Sequence, residues 1–167
     1  MPSINHLIET RASTTRYQPG RTLPAAQIRQ LVQLATRAPS AYNLQNWKFI
    51  AVQSAAAKAR LHALAYQQRQ VLDAAVTFIV CGTLAAHRGL AQALRSASLA
   101  AMTLMLAAQG MGLASGAMSG FDGDGVAAAF ELTADELPVM LVTIGYPAAG
   151  NWPQKLRKPL DQVLAFA

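Results

Sequence analysis

Apolar residues at Ile28, Leu31, Val32 and Ala35 recur with the spacing of one helix face, predicting a helix over Ala25 to Arg37. Pro39 cannot continue it and biases Ala38 away from helical dihedrals. Trp47 to Val52 is aromatic and β-branched enough to read as a strand. Ile4 to Thr10 reads as a short helix with Ile4, Leu7 and Ile8 on one side. Ser54 to Ala65 reads as a solvated helix carrying Lys58 and Arg60, and Val71 to Ala75 leads into an apolar strand, Val76 to Gly82. Leu90 to Gln109 is the longest helical segment. Leu94, Ala97, Ala101, Leu104, Met105 and Ala108 form one stripe along it, and Leu90, Leu99, Met102 and Leu106 widen that stripe nearly all round. Such a helix belongs in a large core or against a partner. Gly110 and Gly112 end it, Leu113 to Met118 reads as a short strand, and Asp122 or Asp124 is placed to cap a helix over Val126 to Phe130. Pro138 to Gly145 is apolar on both faces and is therefore expected to be a central strand.

Composition turns this pattern towards an assembly. Hydrophobic residues make up 53% of the 167 positions and charged residues only 13%, against roughly 25–35% for a well-behaved monomer surface. One domain, residues 1–167, with a large apolar subunit interface is expected, as an obligate homodimer. The net charge is +6, and no acidic residue falls between Arg11 and Gln70. The bases there are scattered singly and no groove-reading motif accompanies them, so small anions are favoured and no nucleic-acid partner is expected. Cys81 is the only cysteine, which excludes an intrachain disulfide and a cysteine zinc cluster; within VTFIVCG it reads as a packed thiol. His6, His62 and His87 show no metal-ligand spacing. The first residues lack a signal-peptide apolar core, and the run Ala97 to Ala108 is too short to span a bilayer, which takes about 20 residues. No membrane is expected, and a cytoplasmic location is.

Five stretches carry candidate chemistry. Ala38 to Phe49, APSAYNLQNWKF, is a polar loop whose Ser40, Asn43, Gln45 and Asn46 are neutral donors or acceptors beside Tyr42 and Trp47. It suits a flat, polar-edged ligand such as a flavin ring; as residues alone it is read more readily as a turn that satisfies its own backbone. Arg11 and Ser13 lie two apart, so an extended chain points both one way, as a guanidinium and hydroxyl suited to a phosphate or ribityl contact. Lys155 and Arg157 alternate likewise in a Pro-flanked tail and form the better anion-binding pair, with a solvated basic tail as the equal alternative. Gln67 and Gln70 are one helical turn apart, and Ser119-Gly120 offers bare backbone N–H groups to a ligand edge. GMGLASG lacks the dinucleotide-binding spacing, and no serine sits in a nucleophile elbow.

Taken in series, RAS (Arg11 to Ser13), APSAYNLQNWKF, QQRQVLDA (Gln67 to Ala74), SGFD (Ser119 to Asp122), VTIGYP (Val142 to Pro147) and KLRKPL (Lys155 to Leu160) resemble the nitroreductase family of FMN oxidoreductases over nearly the whole length. The resemblance implies an α+β fold: a central, mostly antiparallel mixed sheet flanked by helices, a long buried interface helix, and an intertwined homodimer with exchanged C-terminal arms. It implies FMN as cofactor, NADH or NADPH as electron donor, and a nitroaromatic, quinone or enal as small-molecule acceptor. No side chain need act as a covalent nucleophile. Arg11, Lys155 and Arg157 would grip the FMN phosphate, with Ser13 beside the ribityl chain, and Ala12 and Thr15 would be among the cofactor-binding residues. Gln67 and Gln70 would face the pyrimidine side of the ring, and the backbone at Ser119 and Gly120 would meet N5 and O4. Pro39, Ser40, Ala41 and Asn43 would come from the partner subunit, completing a composite site. A flavin-binding or flavin-trafficking protein of the same fold is the alternative.

This chain departs from the family's pattern at three places. Thr15 stands where many relatives carry Lys or Arg, and Gln70 replaces a common lysine. Between Gly82 and Leu90 the chain lacks the extra helices that roof the substrate site in larger relatives, which predicts an open pocket.

Overall fold

The computed structural model describes residues 2–84 and 89–166. In chain order its elements are α1 (Ile4–Thr10), α2 (Ala25–Ala35), a 3-10 turn (Ala41–Asn43), β1 (Trp47–Val52), α3 (Ala55–Leu64), α4 (Gln70–Asp73), β2 (Val76–Thr83), α5 (Gly89–Gly110), β3 (Ala114–Met118), α6 (Gly123–Ala129), β4 (Glu136–Gly145) and a second 3-10 turn (Leu160–Gln162). The expected connector between Gly82 and Leu90 includes residues 85–88, which lie outside the described residues.

The strands form one four-stranded sheet in the order β1-β2-β4-β3, with every neighbouring pair antiparallel. Among the described residues, a parallel bridge between Ser13 and Ser115 lies outside the named strands. β2 and β4 are central, as the two-faced apolar pattern of each requires. β4 begins two residues earlier than the sequence suggests, and a bulge explains how it runs through Pro138. The register against β2 shifts between Val80 and Cys81, so Val80 pairs with Met140 and Cys81 with Pro138. A bulge is where a central strand tolerates a residue without an N–H.

Apolar side chains alternate along β2 into two cores. Val76, Phe78 and Val80 join Ile28, Leu31 and Ala35 of α2 and Ala97, Ala101, Leu104 and Ala108 of α5 on one face. Ile79 and Cys81 join Leu61 of α3, Val71 of α4 and Val126 of α6 on the other. The architecture is helices, sheet, helices. α3 is less solvated than its composition suggests. Leu61 is fully buried, and Lys58 turns back to donate to the carbonyls of Leu72 (3.4 Å) and Ala74. Burial holds the Lys58 ammonium below the ordinary lysine range, against the opposing pull of Asp73.

α5 buries one face and leaves the other bare. Ala93, Ser96, Ala97, Ala100, Ala101, Leu104, Met105 and Ala108 are buried, whereas Leu90, Leu94, Leu99 and Met102 are exposed. Leu94 therefore leaves the expected stripe for the open face. At 22 residues the helix is also longer than the apolar run within it, and by length and composition alone it is apolar enough to cross a membrane. α1 has no buried residue, and its Ile4 and Ile8 are open.

Candidate functional site

The two ends of the chain meet at the β3 edge of the sheet. Thr14 N–H donates to the Ser115 carbonyl at 2.9 Å, setting Ser13 beside Ser115 of β3, and Tyr17 bridges Pro147 after β4. Tyr17 is buried behind them, its hydroxyl 3.2 Å from the Thr14 carbonyl, 3.1 Å from the Thr143 carbonyl and 2.9 Å from the Thr143 hydroxyl. Burial pushes the Tyr17 phenol well above its ordinary range, against a smaller opposing effect of the Thr143 bond. Gly116 makes the approach possible, because a Cβ there would run into the Thr14 carbonyl. The C-terminal segment closes on the same connector. Ala148 N–H donates to the Arg16 carbonyl at 2.9 Å, and Gln154 Nε2 to the Arg11 carbonyl at 3.1 Å.

A pocket of about 290 Å³ lies between these two segments. From the N-terminal side it is lined by Arg11, Ala12, Ser13 and Thr15, and from the C-terminal side by Trp152, Pro153, Gln154, Lys155 and Arg157. Six residues singled out from the sequence, drawn from opposite ends of the chain, thus share one cavity. Its lining holds two guanidinium groups, one ammonium and two hydroxyls, and no carboxylate. Arg157 and Lys155 are held near one another by a bond from Arg157 Nη1 to the Lys155 carbonyl at 3.1 Å, and the Lys155 ammonium lies 5.1 Å over the Trp152 ring. This donor set fits a phosphate monoester: planar forks and a point charge around an anion, with hydroxyls alongside.

The amide group forms a second locus. Gln67 and Gln70 do not share a helix face, because Gln67 has φ 57° and α4 begins only at Gln70. Tyr66 and Gln67 in succession are left-handed, which breaks the chain direction between α3 and α4. The residue that sequence reasoning missed is Gln68, whose Nε2 donates to the Gly120 carbonyl at 2.7 Å and whose Oε1 lies 3.5 Å from Gln70 Nε2. Gln68 thereby ties the glutamine run to the Ser119-Gly120 turn. Only its place inside QQRQ hinted at it. Beyond that turn Asp122 Oδ1 caps α6 through the Gly125 N–H at 3.0 Å.

The loop after α2 is the third locus. Ser40 Oγ accepts from Gln45 N–H at 2.9 Å, and Asn43 N–H donates to the Ser40 carbonyl at 3.1 Å, so part of the loop does satisfy itself. Yet Tyr42, Asn43 and Gln45 all have positive φ (53°, 55° and 49°), a conformation that costs non-glycine residues on the order of 1–3 kcal/mol each. Asn46 is buried with its Oδ1 unpaired. Pro39 is exposed, Ser40 and Ala41 are half-buried, and none of the four expected residues (Pro39, Ser40, Ala41, Asn43) lines the cation pocket of its own chain. Left-handed strain thus gathers at two of the stretches the sequence marked, 42–45 and 66–67.

Comparison with known proteins shows which family this fold belongs to. The model of the nitroreductase family matches residues 8–93 and 62–146. YodC of Bacillus subtilis, provisionally named an NAD(P)H nitroreductase, is 30% identical over 199 aligned positions, covering 98% of each chain. A crystal structure from Exiguobacterium sibiricum, provisionally described as a nitroreductase in complex with FMN, superposes with a TM-score of 0.93 over 100% of this chain and 98% of that one, at 24% identity. CLA-ER, an enone reductase of gut-bacterial fatty acid saturation, superposes with a TM-score of 0.92 over 100% and 99% of the two chains, at 20% identity.

Proposed function

Since the chain belongs to the nitroreductase family, we propose that it is an FMN-dependent oxidoreductase taking electrons from NADH or NADPH and delivering them to a small acceptor such as a nitroaromatic, quinone or enal. FMN, held by this chain, would supply the hydride-transfer chemistry. The chain's residues bind and orient. Arg11, Lys155 and Arg157 grip the phosphate, Ser13 lies along the ribityl chain, and Ala12 and Thr15 complete the lining of the phosphate pocket. Gln67 and Gln70 face the pyrimidine side of the ring, while the Ser119 and Gly120 backbone, braced by Gln68, faces N5 and O4. The observation that carries this reading is the carboxylate-free cation pocket assembled from both ends of the chain.

The working unit in this reading is a homodimer of 1–167 domains in the cytoplasm, with Pro39, Ser40, Ala41 and Asn43 of a second copy covering the far end of the ring. Uncovered apolar surface supports it. An apolar groove of about 500 Å³ is lined by Ile4, Leu7, Leu34, Leu106, Ala107 and Met111 among others. The C-terminal segment meanwhile exposes Leu156, Leu160, Val163, Leu164 and Phe166. Both are accounted for when the arm of one copy lies on the helices of the other, and an interface of the usual ~1,200–2,000 Å² or more follows.

The test is the visible spectrum of purified protein loaded with FMN, before and after anaerobic addition of NADH or NADPH. A yellow protein that bleaches supports the enzyme. Yellow without bleaching indicates a flavin carrier, and failure to take up FMN overturns the reading altogether.

A further inference from the structure

The cation pocket has a problem of construction. Arg11 and Arg157 stand at opposite ends of the chain, on a connector and a tail with little regular structure, yet they must hold a spacing that fits one phosphate. Asn151 lies between these two segments and saturates its amide on them. Its Oδ1 accepts from Thr15 N–H at 2.9 Å and from Arg16 N–H at 2.9 Å. Its Nδ2 donates to the Arg16 carbonyl at 2.8 Å and to the Ala148 carbonyl at 2.9 Å. Two acceptor lone pairs and two donor hydrogens are the whole capacity of an amide. Serine has one donor, and aspartate would set a second oxygen against two carbonyls. The preceding Gly150 sits at φ 81°, and a Cβ there would lie 2.8 Å from Arg16 Nη1, so the turn that delivers Asn151 is itself shaped around the connector.

We propose that Asn151 is a positioning residue for phosphate recognition: it fixes the distance between the Arg11–Thr15 half of the cradle and the Lys155–Arg157 half. Asn151 does not line the pocket. It acts through the backbone of Thr15, which does, and through Trp152, the next residue along the tail. The assignment rests on the FMN reading given above and adds to it the origin of the preference for a phosphorylated flavin.

Riboflavin, which has the ring and ribityl chain without the phosphate, separates this role from general structural support. FMN and riboflavin affinities are measured by quenching of flavin fluorescence for the wild-type chain, Asn151→Ala and Asn151→Ser, with thermal midpoints alongside. The assignment predicts that Asn151→Ala loses roughly tenfold in FMN affinity, the equivalent of about one good hydrogen bond, while riboflavin affinity changes by less than about threefold. Asn151→Ser should fall between the two, and it decides the matter if the alanine variant does not fold. An unchanged ratio of FMN to riboflavin affinity, or equal losses for both ligands, overturns the assignment while leaving the cofactor reading intact. A wild-type chain that binds FMN no better than riboflavin overturns both.

Discussion

Gln68 reaches across 52 positions of sequence to hold Gly120, its Nε2 donating to the glycine carbonyl at 2.7 Å. A Cβ at Gly120 would meet the same Nε2 at 3.4 Å, in ordinary contact. The peptide that follows Gly120 is therefore held in orientation by a side chain from the segment between α3 and α4. Gln68→Leu keeps the bulk and removes the donor. Its FMN affinity should fall by roughly five- to tenfold, the worth of one net hydrogen bond. Riboflavin affinity should fall in parallel, because in the proposed placement the lost contact serves the ring and not the phosphate. Fluorescence titration with the two flavins checks this, and an effect confined to FMN would contradict it.

Gln70 opens α4 half-buried, beside Gln68. In the proposed placement of Gln70, an amide in place of an ammonium would give the N1 and C2 carbonyl side of the ring less positive charge, and the reduced, anionic form of the cofactor would be stabilised less. Gln70→Lys should raise the FMN midpoint potential by roughly 30 mV, the two-electron equivalent of about 1.4 kcal/mol. A redox titration that shows no difference, or a lower potential, refutes this placement of residue 70.

Much of this arrangement is legible in the sequence. The helix faces and the central strands follow from periodicity, because burial on one face leaves a period that survives in the residue order. Arg11 with Ser13 and Lys155 with Arg157 follow from alternation in extended chain. What periodicity does not carry is the contact between distant polar groups. Asn151 reads as one more residue of a polar tail, and only the fold shows its amide between Thr15, Arg16 and Ala148. Gln67 and Gln70 look like helical neighbours because their spacing is three, but the left-handed step at Tyr66 and Gln67 cancels that spacing. The two-faced apolar pattern begins at Pro138, so it does not carry the first two residues of β4, Glu136 and Leu137, which pair with Thr83 and Gly82.

Gly116 is the position where the connector and the sheet come closest. Gly116→Ala would set a methyl group against the Thr14 carbonyl and 3.1 Å from the Thr143 hydroxyl. Backbone must move to admit it, at a cost of about 1–3 kcal/mol. Urea unfolding should show that loss, together with weakened FMN binding as Arg11 and Ser13 are displaced. Wild-type stability in this variant would mean that the connector is not seated as described.

Cys81 sets an alkaline limit. Burial pushes its thiol from the ordinary 9.0 up to about 11; the negative charge of Glu136 adds to this and Lys48 opposes it. The unfolded thiol gives up its proton first, so the contribution is fully present below about pH 9 and is lost as pH rises towards 11. Tyr17 acts in the same direction at higher pH, and Lys58, whose ammonium is disfavoured by burial, acts in the opposite one. Comparison with Cys81→Ala isolates the thiol. Between pH 9 and 11 the wild-type chain should lose up to about 2–3 kcal/mol more than the variant. Parallel denaturation curves across that range would show that the thiol does not titrate with unfolding.

Whether the pocket between Arg11 and Arg157 holds the phosphate of FMN is tested most directly by the double variant Lys155→Ala with Arg157→Ala. Both side chains lie on an exposed tail, so the thermal midpoint should stay within about 0.5 kcal/mol of wild type in stability terms. FMN affinity should drop by at least about a hundredfold, towards that of riboflavin, as two charge-assisted contacts are lost. A folded double variant that binds FMN with wild-type affinity would contradict the account at its centre.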